Sequence, residues 1–308
     1  MKNEISFSIV TPVYNREDCI LRCLKSVTKQ KNNNYEHLIV DDGSTDGTTN
    51  LIEEYAKTHQ QIHFFKFSKN QGVNAARNYA IKNCKNKYVL FLDSDDYMND
   101  NALDTIEENI SLHQGYSHYL FAQNHRMDYY RSNSLLSSDF IEINFYNWIK
   151  NEISGDFLHV ISREIIQQFP FDEKLRIYEE LNFMKMYKFS QKQLFINKAV
   201  MHIEISRFDS VSKEATLINS NAIQSQFEFL KQMIDSFEVD YKKYNIIKLN
   251  SMINRCLIFS LALSDYNYYK YLSKKYQKNI LLGKVMCQLG LGPFLKFLIM
   301  SYSRIKHL

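Results

Sequence analysis

The sequence predicts an α/β chain, a mainly parallel sheet flanked by helices with a C-terminal helical extension. Three observations carry this expectation. Over about the first hundred residues, apolar runs of strand length alternate with segments of helical periodicity. Acidic and polar clusters stand directly after the predicted strands. From about Asn221 the texture changes to long helical patterns rich in Lys, Tyr, Leu and Ile.

The elements follow in order. Residues 5–11 read as a strand, and Ile20, Leu24 and Val27 recur at helical spacing over 16–30. Residues 35–41 carry the run Leu38, Ile39, Val40 of a strand covered on both faces. Residues 46–58 are helical, with Leu51, Ile52 and Tyr55 as the apolar stripe and Asp46 placed to cap the start. A strand at 62–67, a helix at 73–84 and a buried strand at 88–92 complete the alternation. In such sheets ligands bind beyond the carboxyl ends of the strands. Thr11-Pro12-Val13-Tyr14 follows the first strand, Asp41-Asp42-Gly43-Ser44 the second and Asp93-Ser94-Asp95-Asp96 the fourth, so polar clusters converge on one edge.

Composition sets the bounds. With 308 residues, 45% hydrophobic and 14% aromatic, the chain can bury a sizeable core. Only 8 Gly and 3 Pro argue against a repetitive all-β protein. The 5 cysteines form no CxxC pair, and Cys19 and Cys23, one helical turn apart, read as a buried helix face. The start MKNEISFSIV does not read as a signal peptide, so the expected location is cytoplasmic, peripheral on the inner face of the plasma membrane.

Asp93-x-Asp95, directly after YVLFL, suits a divalent cation that keeps positions open for phosphate oxygens. An isolated pair of this kind is also what a turn with an Asx cap before a helix at 102–110 looks like. Context favours the cation, because Asp41 and Asp42 end a neighbouring strand and carboxylates gathered at one edge repel unless positive charge sits among them.

The runs SIVTPVYNRE, LIVDDGSTDGT, NQGVNAARN and FLDSDD together resemble the nucleotide-binding half of the inverting glycosyltransferases of family two, which have the GT-A fold. The motifs come in the family's order over about residues 5–100, and the resemblance continues less clearly to about 213. It implies that Thr11, Pro12, Val13 and Tyr14 line a nucleobase pocket, with Asp41 accepting a hydrogen bond from uracil and Asp42 and Ser94 beside the donor. Gly72 lets the backbone approach the nucleotide, and Arg77 braces the base or the acidic cluster. Asp93 contacts the ribose and Asp95, with Asp93, holds Mn²⁺ or Mg²⁺ against the diphosphate. Taken singly, Tyr14 also reads as packing and Arg77 as a surface ion pair.

A general base is needed to take the proton of an acceptor hydroxyl. Glu179-Glu180, opening LNFMKMYKF, is the adjacent acidic pair in a suitable setting. The family pattern there is Glu followed by Asp with the second as base, which implies Glu180, one methylene longer. The other reading is two acids favourable to a helix start. In the family's closing segment, which ISRFDSVS resembles, Arg207 is implied to aid diphosphate departure; Gly155-Asp156, before FLHVI, resembles the acceptor-side segment, which implies that Asp156 binds an acceptor hydroxyl.

No GxGxxG, Walker motif or HExxH occurs, and no basic stretch interleaved with aromatics invites nucleic acid. A nucleotide-sugar-forming nucleotidyltransferase would carry a Gly-rich first loop, whereas this one reads TPVYNRE. A non-catalytic sugar-nucleotide-binding or scaffold module is the third alternative. The expected division is a catalytic domain at 1–215, with its nucleotide-binding half to about 100 and its acceptor half after it, and a helical region at 216–308. In the segment 279–300, Lys284, Gln288, Lys296 and a Gly-Leu-Gly-Pro break argue against a membrane span. Two amphipathic helices on an anionic leaflet fit it, as does a hairpin packed on the catalytic domain or on a second subunit of a homo-oligomer. The reading is a metal-dependent inverting transferase moving sugar from a UDP-sugar to a cell-surface glycan, free or lipid-linked.

Overall fold

The computed structural model describes residues 5–175, 178–204, 220–278 and 281–306. Its contacts divide the chain into two compact units, Met1–Arg176 with Asn182–Ile205, and Ile177–Leu181 with Ser206–Leu308.

The first unit is built on an eight-stranded sheet. Strands β1 (Phe7–Val13), β2 (Tyr35–Asp41), β3 (Ile62–Lys66) and β4 (Tyr88–Phe91) are parallel and alternate with helices α1 (Ile20–Thr28), α2 (Thr48–Ala56) and α3 (Val73–Asn83). A short strand β5 (Tyr97–Met98) and helix α4 (Ala102–Leu112) follow. The sheet continues with β6 (His118–Ala122), β7 (Phe140–Asn144) and β8 (Leu158–Ser162), with α5 (Met127–Ser132), α6 (Phe145–Ile149) and α7 (Arg163–Ile166) between and after them. Helix α8 (Glu180–Ser190), strand β9 (Lys192–Ala199) and β10 (Met201–His202) come next, and β10 pairs with β5. The strand order is β3-β2-β1-β4-β8-β6-β9-β7, with β8 and β7 antiparallel to their neighbours.

Side-chain alternation along β1 makes two layers. Phe7, Ile9 and Val13 face a core shared with Ile20, Leu24 and Val27 of α1 and with α4. Val10 faces the opposite layer with Ala76 and Ala80 of α3 and Ile165 and Ile166 of α7. Burial on both faces explains why these strands read as near-continuous apolar runs.

The first strand runs further than its sequence pattern predicts. Beyond Thr11, Pro12 and Val13 also belong to β1, paired with Val40 and Asp41. The ladder with β4 ends at Val10 and Phe91, so this last part of β1 is locally an edge, where a proline's missing donor is tolerated. The acidic run after β4 is also not the cap of α4. Strand β5 intervenes, and α4 starts from Asn101 in the left-handed region (φ 58°) without a side-chain cap.

In the second unit, helices α9 (Ser220–Tyr244), α10 (Ile246–Ala262) and α11 (Tyr266–Lys275) are followed by α12 (Leu281–Leu289) and α13 (Gly292–Lys306). Asn245 and Asp265 cap α10 and α11, each accepting a backbone N–H three residues on. Its buried side chains include Ile223, Phe227, Phe237, Leu249, Ile253 and Cys256. No helix among the described residues is long and apolar enough to cross a membrane.

Candidate functional site

The carboxyl edge of the sheet is laced together by side chain to backbone bonds. Asn15, in the left-handed region (φ 50°), donates its N–H to the Ser44 hydroxyl oxygen (2.9 Å) and accepts Thr45 N–H at its side-chain oxygen (2.8 Å). Asp41 is fully buried, and its carboxylate accepts Ser44 N–H (2.8 Å) and the Thr49 hydroxyl. Asp42 accepts the N–H groups of Gln71 (2.6 Å) and Gly72 (2.8 Å), so the end of β2 holds the loop that leads into α3. Asp46 accepts Thr48 N–H (3.0 Å) and Glu17 N–H (3.2 Å), acting one residue before the Gly47 cap position.

Two glycines here are required for different reasons. At Gly43 (φ +76°) a Cβ would meet the Lys69 carbonyl carbon at 2.7 Å, so the backbone of the 69–70 turn leaves no room for a side chain. At Gly72 (φ +99°, ψ 153°) a Cβ would enter open space, so backbone conformation alone demands glycine.

The 93–96 loop is held from several sides. Arg77 of α3 donates from Nη2 to Asp93 Oδ1 at 3.1 Å, with its guanidinium 5.7 Å from the Phe91 ring and 5.9 Å from that of Phe171. Arg22 of α1 donates to the Asp95 carbonyl at 2.6 Å, pairs with Glu204 at 3.5 Å and lies over the Tyr97 ring. The Cys23 thiol donates to the Asp93 carbonyl (3.8 Å) and Cys19 to that of Ser94 (3.7 Å). Burial pushes the Cys23 thiol far up, so it stays a protonated donor. Asp96 is buried and accepts Glu204 N–H at 2.8 Å. Burial first and Asp93 next push its carboxyl up to about 8.

The loop therefore presents Asp93 exposed, Ser94 buried, Asp95 half-buried and Asp96 buried. Within the same strand-end region, Thr11 is buried with its hydroxyl 2.8 Å from His37 Nε2, and Tyr14 is 39% exposed. Asp156 is exposed and precedes β8, which runs antiparallel to β4; it thus stands at the sheet edge where β4 ends. Its carbonyl accepts the Tyr130 hydroxyl (3.0 Å).

A profile of known families matches residues 8–168 of this chain, more than half of its length, and its description is Glycosyl transferase family 2. The chain belongs to that family. This family 2 chain is 26% identical over 245 residues to the GalNAc(5)-diNAcBac-PP-undecaprenol beta-1,3-glucosyltransferase of Campylobacter jejuni, covering 77% of this chain and 78% of that protein. It spans about a third or less of the length of several other curated relatives it matches. Among solved structures, S. aureus TarS 1–349 in complex with UDP-GlcNAc superposes with TM-score 0.63 at 20% identity, over 98% of this chain and 88% of that one. Mannosyltransferase PcManGT from Pyrobaculum calidifontis, in complex with GDP-Man and Mn²⁺, superposes with TM-score 0.59 at 14% identity, over 99% and 86%. At these identities the superpositions show a shared fold, and the α/β architecture expected of family 2 is the one observed.

The other expected site residues are Glu179, Glu180 and Arg207. Glu179 is half-buried and Glu180 exposed, both in the segment Ile177–Leu181 that groups with the second unit. Glu180 opens α8 as its first-turn acid and contributes, after burial, to raising the Tyr241 phenol. Arg207 lies outside the described residues. The sequence reading missed Arg22, the loop-holding role of Cys19 and Cys23, and the link from Asp96 to Glu204. A cation or a small thiol on an amphipathic helix carries no local mark of the loop it will meet 70 residues on.

Proposed function

We propose that the chain is a metal-dependent, inverting glycosyltransferase that moves a sugar from a UDP-sugar to a hydroxyl of a cell-surface glycan or lipid-linked glycan. Residues 1–215 would form the catalytic domain and 216–308 a helical region. The observation that carries the reading is the acidic 93–96 loop at the carboxyl edge of a parallel sheet, braced by Arg77 and Arg22 beside the Asp41 and Gly72 turns. The TarS complex with UDP-GlcNAc and the lipid-diphosphate acceptor in the Campylobacter relative's name support the choice of donor and acceptor.

The donor roles follow the chemistry of each residue. Thr11, Pro12, Val13 and Tyr14 would line the base pocket. Asp41 has two bonds to its carboxylate, which has about four acceptor sites, so it can still accept a base N–H. Asp42 would act by holding Gly72, and Ser94 by its backbone beside the exposed Asp93, the ribose contact.

The residues fit a hard divalent cation, Mn²⁺ or Mg²⁺. The carboxylates of Asp95 and Asp93 would offer it the oxygen donors it takes. Such a cation keeps positions for phosphate oxygens and water. When bound, it offsets the charge of a departing diphosphate.

The acceptor oxygen would form its bond to the anomeric carbon as the bond from that carbon to the diphosphate oxygen breaks. UDP leaves with that electron pair, the hydroxyl proton passes to Glu180 as general base, and configuration at the anomeric carbon inverts. Glu179 is the alternative base, Asp156 would bind the acceptor, and Arg207 would assist the leaving diphosphate.

Thermal shift with a panel of nucleotide sugars, with Mn²⁺ present, tests the reading. A donor at 100 times its Kd stabilises by about 2.7 kcal/mol. Stabilisation by a UDP-sugar, lost on chelation, is the expected result. Stabilisation by GDP-sugars alone would overturn the base assignment, and no shift with any sugar nucleotide would overturn the donor reading.

A further inference from the structure

The helix pair α12 and α13 is seated on its own unit by glycines. A Cβ on Gly283 would meet the Tyr269 hydroxyl at 1.9 Å, and one on Gly292 would meet the Leu261 carbonyl oxygen at 2.4 Å. Gly292 N–H also donates to the Tyr266 hydroxyl at 3.3 Å. Of the α13 residues whose burial is described, only Gly292 is buried.

The outward side is apolar. Leu291, Phe294 and Leu298 follow the i, i+3, i+7 spacing of one helical stripe, with Phe297 beside them at 63% exposure. Leu289 at the end of α12 adds to it at 65%. Single exposed apolar residues are ordinary, but a stripe of them with no described protein over it marks a contact surface.

The sequence of this region is basic. No Asp or Glu occurs after Asp265, whereas Lys270, Lys274, Lys275, Lys278, Lys284, Lys296, Arg304 and Lys306 do. Lys275 is paired with Glu238 at 2.7 Å, but Lys270 and Lys274 are exposed and make no ion pair with a described residue. Lys270 is near enough to α12 to act electrostatically on Cys287.

We propose that this basic-rimmed apolar face, formed by the outer side of α13 and the end of α12, docks on the surface of an anionic lipid bilayer. The helix would lie in the interface plane, with Phe294 and Phe297 entering the boundary between headgroups and acyl chains and the lysines at the lipid phosphates. A second copy of the chain fits less well. A two-fold contact through this face would set its cations against themselves, with no carboxylate after Asp265 to pair them. The proposal stands on this surface alone and is independent of the transferase reading.

Co-sedimentation of the full-length protein with phosphatidylcholine vesicles, with and without phosphatidylglycerol, tests it. Binding should require the anionic lipid and fall steeply with salt. Phe294→Glu with Phe297→Glu should weaken it at least about ten-fold, and Lys270→Ala with Lys274→Ala roughly five-fold per lysine. All four positions are exposed, so melting curves should match the unsubstituted protein. Absence of binding to anionic vesicles at low salt, or equal binding to neutral ones, overturns the proposal. So does a concentration-dependent dimer, seen by light scattering, that Phe294→Glu with Phe297→Glu dissolves while vesicle binding is absent.

Discussion

The Arg77 guanidinium lies 3.1 Å from the Asp93 carboxylate, reaching from the helix after the third strand to the loop after the fourth. The arginine side chain is 12% exposed and its partner 51%, so the cation is largely fixed by packing while the anion faces the open edge. Loss of Arg77 therefore acts on the acidic loop rather than on an isolated surface pair. We expect Arg77→Ala to lower kcat/KM at least ten-fold, with Arg77→Lys recovering little of it, because an ammonium does not reproduce the planar fork held against the Phe91 and Phe171 rings. Steady-state kinetics of both variants, with donor binding measured separately, checks this. Full recovery by lysine would show that only charge matters.

Asp95→Asn keeps the shape of the side chain and removes its charge. Turnover that depends on a divalent cation should fall roughly 10²–10³-fold, the scale of several kcal/mol of charge stabilisation, while the melting temperature stays within a few degrees. The measurement is a titration of activity with Mn²⁺ and Mg²⁺ for both proteins. An unchanged metal response in Asp95→Asn would remove Asp95 from metal binding.

Glu180→Gln should cost roughly 10²- to 10⁴-fold in turnover with donor affinity little changed, the pattern of a lost general base. Glu179→Gln should cost less. The reverse order would move the base to Glu179, and normal turnover in both would leave Asp156 as the next residue to substitute.

His37 is fully buried, and burial lowers its imidazole to about 3. Its folded value lies below the unfolded one, so the unfolded chain binds the proton first as pH falls. Stability is complete above about pH 6.5 and is lost progressively below it, by roughly 2 kcal/mol from this group at pH 5. In His37→Gln, which can still meet the Thr11 hydroxyl, the loss of stability between pH 7.5 and 5 should shrink by about that amount in urea unfolding. An unaltered pH slope would show that other groups set the acid sensitivity.

By itself the sequence determined the strand and helix alternation of the first hundred residues and the carboxyl edge as the polar one. Each is a local consequence of periodicity, and Val10, Leu38 and Ala76 carry the pattern whatever lies across from them. Gly43 is set by the 69–70 turn packed against it, a contact only the fold makes. Only the tertiary structure decided that Pro12 and Val13 complete a strand, because that depends on where β4 leaves the ladder. Only it brought Cys19 before α1 and Arg22 and Cys23 within it against a loop 70 to 75 residues away, and Glu204 onto Asp96. Such contacts are set by how strands order themselves in a sheet, through burial and hydrogen bonds between segments far apart in the chain, and no local pattern of residues encodes their partners.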